Sequence, residues 1–459
     1  MKHDNMINKT TKIMSNKFSL PLNPLKGTFV TNIERLIYAA KAPFRGLGVK
    51  HIRSFGIALF ALVVISISSC NSKSGSDVKN ARIKALIVNG QMNASHDDKE
   101  STPILEKILE VTGVFNVEVA TSPAKGGDMA TFKPQFPDYD VVVIDYDGDE
   151  WSDETKTSFV DYVQKGGGVV IVHSSDNAFP NWPEYNEMIG LGGWNGRNES
   201  AGPYIYWEKG EIVRNDTIGS AGHHGDQVPV LVETRDLEHP IMKGLPTSWM
   251  HAPDELYGNL RGPGKNLDIL ATAFSDPKTN GTGKHEPVLM TIKFGEGRVF
   301  HTVLGHVNGN GPHEQMQCAG FVVTLQRGAE WAATGEVLQE IPAEFPNFTG
   351  YTIWPNYAPL SLDDLVAEIK KYKLGDSEEN LTALSLRIRK SDQSPETLDK
   401  YEKTMIEILE SNATDDAKKY ICRELGLWGT EKCVPALEKL KSDKNCAEMA
   451  EYALAQMER

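Results

Sequence analysis

Gly166-Gly-Gly-Val-Val-Ile-Val-His173 decides how this chain folds. Three glycines end a helix, four β-branched residues follow without a break, and a histidine stands where the run stops. A short, continuous Val/Ile run of this kind reads as a strand buried on both faces. The glycines are not a phosphate loop, because no helix starts directly after them and no Lys-Ser/Thr follows. Immediately upstream, Ser152 opens a helix with Phe159, Val160 and Val163 on one side, and residues 141–144 form another strand. Residues 83–88 and 115–120 are strands as well. The helix between them is expected to start at Thr102-Pro103, to turn Ile104, Leu105, Ile108 and Leu109 inward, and to end at Gly113.

Strands alternating with helices predict an α/β fold, a parallel sheet with helices on both faces. Right-handed crossovers then gather the strand carboxyl ends on one edge, where open α/β sheets bind ligands. Asn89-Gly90, Asp145-Tyr-Asp147 and His173-Ser-Ser-Asp176 fall on that edge. Residues 177–265 are rich in Gly, Trp, Tyr and His and read as long functional loops. Strands return at 267–274, 288–294 and 298–304, the last two joined through Gly295-Glu-Gly297, and a helix runs through Phe321 to Trp331.

The α/β domain is thus expected over residues 81–336, with a Pro-rich linker at 337–359. Residues 360–459 are charged and helical. The spacing of Leu425-Gly426 to Pro435-Ala-Leu437 resembles a HEAT-type repeat, with a plain helical bundle as the alternative. This region is a candidate for recruiting a protein partner.

The N-terminus has a different character. Residues 1–69 carry ten Lys/Arg against Asp4 and Glu34, a net of +8. They run into the apolar stretch from Phe55 to Ile67, which is shorter than the ~20 residues of a membrane span. A charged segment, a short apolar core and small residues describe an export signal. Ile67-Ser-Ser-Cys70 resembles the lipobox of bacterial lipoproteins, which implies cleavage before Cys70, lipid on its thiol and an envelope location on a membrane. The alternative is an uncleaved anchor. Residues 70–80, polar and Gly/Ser-rich, read as a flexible tether. Since the whole chain of 459 residues carries −14, residues 70–459 carry −22, a charge that repels polyphosphate and excludes nucleic acid as the expected partner. The other cysteines, Cys318, Cys422, Cys433 and Cys446, have no metal or disulfide spacing and read as small buried hydrophobes.

The motif at 166–173 is followed in order by Glu238-His-Pro-Ile-Met-Lys-Gly-Leu-Pro246, Asp254-Glu-Leu-Tyr257, Phe294-Gly-Glu-Gly-Arg-Val-Phe300, Leu304-Gly-His306 and Gln326-Arg-Gly-Ala-Glu-Trp331. This ordered set resembles the ThuA-like, trehalose-utilisation family over roughly residues 82–335. The resemblance implies a flavodoxin-like sheet similar to class I glutamine amidotransferases, and a role in carbohydrate metabolism, on keto-disaccharides made by a partner dehydrogenase. The amidotransferases carry a nucleophilic cysteine on the turn after a strand. His173-Ser-Ser occupies that turn here, so thiolate chemistry on glutamine is not expected.

Candidate site residues follow from these positions. His173 and His306, each at a strand end, suit a general base or a metal ligand, with a structural bond to a backbone carbonyl as the alternative. Glu255 is the third catalytic candidate. Asp254 and Tyr257 beside it, His96-Asp97 after the first strand, His224 and Trp182 are candidates for binding substrate. Of His223-His224, one at most faces a site. For Asp254-Glu255 the alternative is a charged loop that caps a helix or pairs with Arg298. For the loop aromatics Trp182, Tyr185 and Trp194 it is core packing. A divalent metal is permitted by these residue types but declared by no fixed spacing.

The leading expectation is an enzyme that uses acid/base chemistry on a 3-keto-disaccharide or glycoside. The others are a non-catalytic sugar-binding or scaffolding lipoprotein and a metal-dependent hydrolase.

Overall fold

The computed structural model describes residues 82–457 apart from 310, 356 and 392. The export signal, the lipobox with Cys70 and the tether lie outside the described residues. Among the described residues, no helix is long and apolar enough to cross a membrane.

The first half alternates as read: β1 (Ile83–Gly90), α1 (Asp98–Glu110), β2 (Phe115–Thr121), β3 (Val141–Tyr146), α2 (Asp153–Gln164) and β4 (Gly168–Val172). Every residue of β3 and β4 is buried, as a strand covered on both faces requires. Gly168 is demanded by a close approach, since a Cβ there would lie 2.5 Å from the Ala332 carbonyl oxygen. The Ser152 side chain accepts from Thr155 N–H and starts α2. By contrast α1 starts earlier than expected. Asp97 caps it by accepting from Lys99 N–H, so Pro103 lies inside the helix and forfeits one backbone bond. Asp97, expected at the binding site, is therefore used as a helix cap.

Next come α3 (Pro183–Ile189), β5 (Tyr204–Glu208), β6 (Glu211–Asn215), β7 (His223–His224), β8 (Val228–Thr234), β9 (Ser248–Asp254), β10 (Tyr257–Gly258), β11 (Leu267–Phe274), β12 (His285–Phe294), β13 (Gly297–Thr302), α4 (Glu314–Gln317) and α5 (Ala319–Thr334). Residues 177–265 are thus not only loops. β8 and β9 extend the sheet, and β5 and β6 form a hairpin on β12. The alternation of β8, with Val230 and Val232 buried and Leu231 exposed, was masked by Pro229, which lies at a register shift.

The main sheet runs β2-β1-β3-β4-β13-β12-β11-β8-β9. The pairs from β2 to β13 are parallel, in the flavodoxin-like order, and the rest are antiparallel. Helices cover both faces. α5 packs on β3, β4 and β13 and meets α1, while α2 and α3 pack on β13 from elsewhere in the sequence. One apolar core runs from Ile83 to Trp354. A second unites α6 (Leu362–Ile369), α7 (Glu379–Lys390), α8 (Pro395–Glu410), α9 (Asp415–Trp428), α10 (Val434–Leu440) and α11 (Ala447–Met457).

Asp145, at the end of β3, ties the sheet to α1. Its Oδ2 accepts from the hydroxyls of Ser101 and Thr102, each at 2.7 Å. Burial nevertheless pushes its carboxyl up from 3.8 to about 6. The folded state therefore binds this proton more tightly than the unfolded chain does. The resulting stability is present below pH 3.8 and is lost as pH rises through 6, at a cost of about 2–3 kcal/mol above it. Asp145→Asn, which keeps an acceptor without the charge, is expected to raise Tm at pH 7.5 and to match the parent at pH 4. Parallel Tm–pH profiles for the two proteins would contradict this.

Candidate functional site

The strands β1, β3, β4 and β13 end on one edge. Four antiparallel steps separate β13 from β9, so β9 points the same way and ends there too. The loops after β1, β4, β9 and β13 supply His96, His173, Glu255 and His306 in turn. One ligand-type atom from each lies within 4.8 Å of all the others. These are the three residues expected to be catalytic, joined by one of those expected to bind substrate.

Local backbone chemistry fixes each of them. His173 directly follows β4 with φ +43°, a left-handed conformation that costs a non-glycine residue ~1–3 kcal/mol and tends to mark functional sites. The turn is pinned by Ser175, whose hydroxyl donates to the Ile144 carbonyl (2.8 Å) and accepts from Tyr146 N–H (3.0 Å). His173 Nδ1 lies 2.6 Å from the Val303 carbonyl, which can only accept, so Nδ1 carries the hydrogen and Nε2 the lone pair. That Nε2 is 3.3 Å from His306 Nδ1, which is 3.2 Å from Glu255 Oε2. Gln227 Nε2 donates to the other Glu255 oxygen at 3.2 Å.

His96 is oriented at both ends. Its Nδ1 is 3.0 Å from Asn93 Oδ1, and its Nε2 is 3.0 Å from the Tyr257 hydroxyl. The Asn93 amide is itself set by Ser95 N–H on Oδ1 and by Asp147 on Nδ2. Tyr257 stacks on the His173 ring with centroids 4.2 Å apart, and Trp194 stands 4.5 Å from Tyr257. A cavity of about 350 Å³ opens beside His306, lined also by Gln227, Asn308 and His313.

The imidazoles are held neutral. Burial, then His306 and His224, push His96 down to about 3. Burial, then His96 and His306, put His173 well below its ordinary range. Burial lowers His306 too, with Glu255 opposing. Neutral imidazoles and a carboxylate offer lone pairs to a cation or accept polar hydrogens, and imidazoles held this far below their ordinary range are weak bases.

Asp254, expected to touch substrate, instead builds the site from behind. It is 1% exposed. Its two oxygens accept from Glu255 N–H (2.8 Å), His306 N–H (3.1 Å), Gly305 N–H (2.8 Å) and His251 Nε2 (2.9 Å). One carboxylate thus ties the β9 loop to the β13 loop. Gly305 (φ +107°) permits the crossing, since a Cβ there would press on the Phe321 ring at 2.8 Å. Burial opposes charge on His251, yet Cys318 and Asp254 raise it to about 10, and burial opposes but His251 lowers the Cys318 thiol. Cys318 sits at the start of α5 within the apolar core, as read. It is fully buried and is not on the His173 turn.

Other expectations are corrected. Trp182 lies in an aromatic core with Trp151, Phe159, Phe179 and Tyr185, away from the crevice. Arg298 donates to the last carbonyls of α5 (Trp331, Ala332, Ala333), so it does not pair with Asp254 or Glu255. His223 Nε2 bonds the Asn280 carbonyl, while His224 Nε2 lies 4.0 Å from Glu255 Oε1 and its side chain is 44% exposed. Asn93 and Gln227, which orient His96 and Glu255, were missed. Asn93 lies in the same short loop as His96, the one signal that could have suggested it; Gln227 offered none.

With this geometry in view, comparison with known proteins is informative. The ThuA family pattern, described as trehalose utilisation, matches residues 84–332. A ThuA-like protein from Parabacteroides merdae is 48% identical over 61% of this chain and 100% of its own, with a TM-score of 0.59. A ThuA-like protein from Bacteroides uniformis is 19% identical over 56% of this chain and 94% of its own, with a TM-score of 0.38. No curated protein matches. The family pattern spans β1 to α5 and every residue of the cluster, and membership suggests a carbohydrate-related role. The chain belongs to the ThuA, trehalose-utilisation family.

Proposed function

We propose that this protein is a carbohydrate-processing enzyme that moves a proton on a 3-keto-disaccharide or glycoside bound in the crevice. The convergence of His96, His173, Glu255 and His306 at one sheet edge carries this reading. The family's link to carbohydrate supports the substrate class, and Trp194, only partly buried, offers a flat face to a sugar ring, while Tyr257, expected to bind substrate, is buried against His173.

A ketone at C3 acidifies the C2 hydrogen. A base takes that proton while the C–H electron pair passes to the ketone oxygen. When the ketone re-forms, a C1=C2 bond forms and the C1 glycosidic oxygen leaves, taking up a proton. The base is assigned to His224 rather than to the buried His173 or His306. His224 Nδ1 donates to the Gly225 carbonyl at 2.9 Å, so its Nε2 has a free lone pair on the exposed side of Glu255. The buried cluster, made of imidazole lone pairs and a carboxylate, would need a bound cation to receive the oxygen on which charge develops. Residues 55–70 support an envelope location, with lipid on Cys70.

NMR in D2O tests the reading, with 3-keto-trehalose and trehalose offered separately in the presence of zinc, manganese or cobalt. Consumption of the keto-sugar with loss of its C2 hydrogen, and untouched trehalose, are expected. A keto-sugar that binds but stays intact would overturn the enzyme and leave a sugar-binding module.

A further inference from the structure

We propose that His96, His173, Glu255 and His306 form a binding site for one divalent transition-metal ion or zinc. The inference deepens the reading above, since a cation here would take the charge of the ketone oxygen. Its test needs no sugar.

Three observations carry it. The donor set is three nitrogens and one carboxylate oxygen, within 4.8 Å of one another. Bonds of ~2.0–2.2 Å to a common centre separate tetrahedral donors by about 3.4 Å, so a small inward movement closes the site. The 3.3 Å and 3.2 Å spacings around His306 Nδ1 already match that value.

The second observation is the outer layer. Ligating imidazoles characteristically donate their other N–H to a carbonyl or carboxylate, which fixes the tautomer. Val303 does this for His173 and Asn93 for His96, while Gln227 holds the Glu255 oxygen that faces away from His306. Asp254 fixes the backbone of both Glu255 and His306. The Tyr257 hydroxyl, bonded to His96 Nε2, must turn aside when an ion binds.

The third is local charge. Among the described residues, the ion-pair partners of Glu255 are the imidazoles of His224 and His306. A carboxylate only 9% exposed stands among rings with no lysine or arginine paired to it. Three imidazoles favour zinc, manganese, iron, cobalt or nickel over magnesium or calcium, which prefer oxygen ligands.

The experiment is calorimetric titration of the chelator-treated full chain with Zn²⁺, Mn²⁺, Co²⁺ and Mg²⁺, alongside elemental analysis of the protein as purified. One transition ion per chain is expected, at micromolar affinity or tighter and at least ~10-fold above Mg²⁺. Glu255→Gln and His306→Gln are each expected to weaken binding about 100-fold with the circular-dichroism spectrum unchanged. Two separate substitutions keep the test decisive if one variant misfolds. No transition-ion binding up to millimolar concentration, or binding unaffected in a folded variant, would overturn the site. The titration decides the metal site alone, and the NMR experiment above decides the proposed function alone: an ion bound by a protein inert toward keto-sugar leaves the site and removes the function, and turnover by a protein that binds no transition ion does the reverse.

Discussion

His173→Asn is expected to lower keto-sugar turnover by at least ~10³-fold while the fold survives, a loss of about 4 kcal/mol of transition-state stabilisation. Asparagine is the informative replacement because it tolerates the left-handed backbone at this position better than most residues. The fold loses the bond to the Val303 carbonyl, about 1 kcal/mol, and part of the stacking on Tyr257. Turnover loses a donor with no substitute, because the other three members of the cluster come from different loops and cannot rotate into its place. Trp182→Phe is the control. That residue packs in the aromatic core, so Tm is expected to fall while turnover stays within a factor of two. Rates and melting temperatures of both variants decide the matter. A His173→Asn enzyme within threefold of the parent would remove the cluster from the chemistry.

The second large effect is expected at Asp254. Replacement by Ala leaves three backbone N–H groups and the His251 ring nitrogen without their buried acceptor. Each buried donor left unpaired costs ~1–3 kcal/mol, and the costs are not additive, so a total of about 3–5 kcal/mol is expected. Asp254→Asn separates positioning from stability. A single amide oxygen cannot accept from both Glu255 and His306 on one side and from Gly305 and His251 on the other, so the two loops lose their common anchor. The expected results are about 1–3 kcal/mol of stability and a 10–100-fold loss of metal affinity, with the spectrum of a folded protein. A purely structural role would lower Tm and leave metal affinity where it was. That outcome would return Asp254 to scaffolding.

Much of the α/β half could be read from sequence because its signals are local. Val169 to Val172 form a strand whatever surrounds them, since a run of β-branched residues flanked by glycines suits little else. Ser152 caps its helix through a hydroxyl three residues from its partner. β8 and β9 were not read, because Pro229 interrupts the alternation and antiparallel pairing at a sheet edge is settled by partners far along the chain. Misplacing the start of α1 has a similar cause. Thr102-Pro103 is a valid local start, but Asp97 offers a better cap, and the Ser101 and Thr102 hydroxyls are engaged by Asp145, more than forty residues away.

Residue types and strand-end positions identified His173, His306, Glu255 and His96, because the topology of a parallel sheet dictates which edge collects the loops. The sequence could not say which side chains face one another. Asp254 and Glu255 are adjacent, yet one is turned into the protein to hold backbone N–H groups and the other toward the imidazoles. Trp182 and Trp194 are twelve residues apart in the same segment, yet one is core and the other stands at the crevice. By itself, then, the sequence determined the strand and helix order outside residues 177–265, and the family, since these depend on short-range pattern. The tertiary structure alone decided which polar groups became ligands and which became their supports. That choice is made by burial and by hydrogen bonds between loops separated by 50 to 160 residues, such as those at Gly305 and His96, which no local spacing encodes.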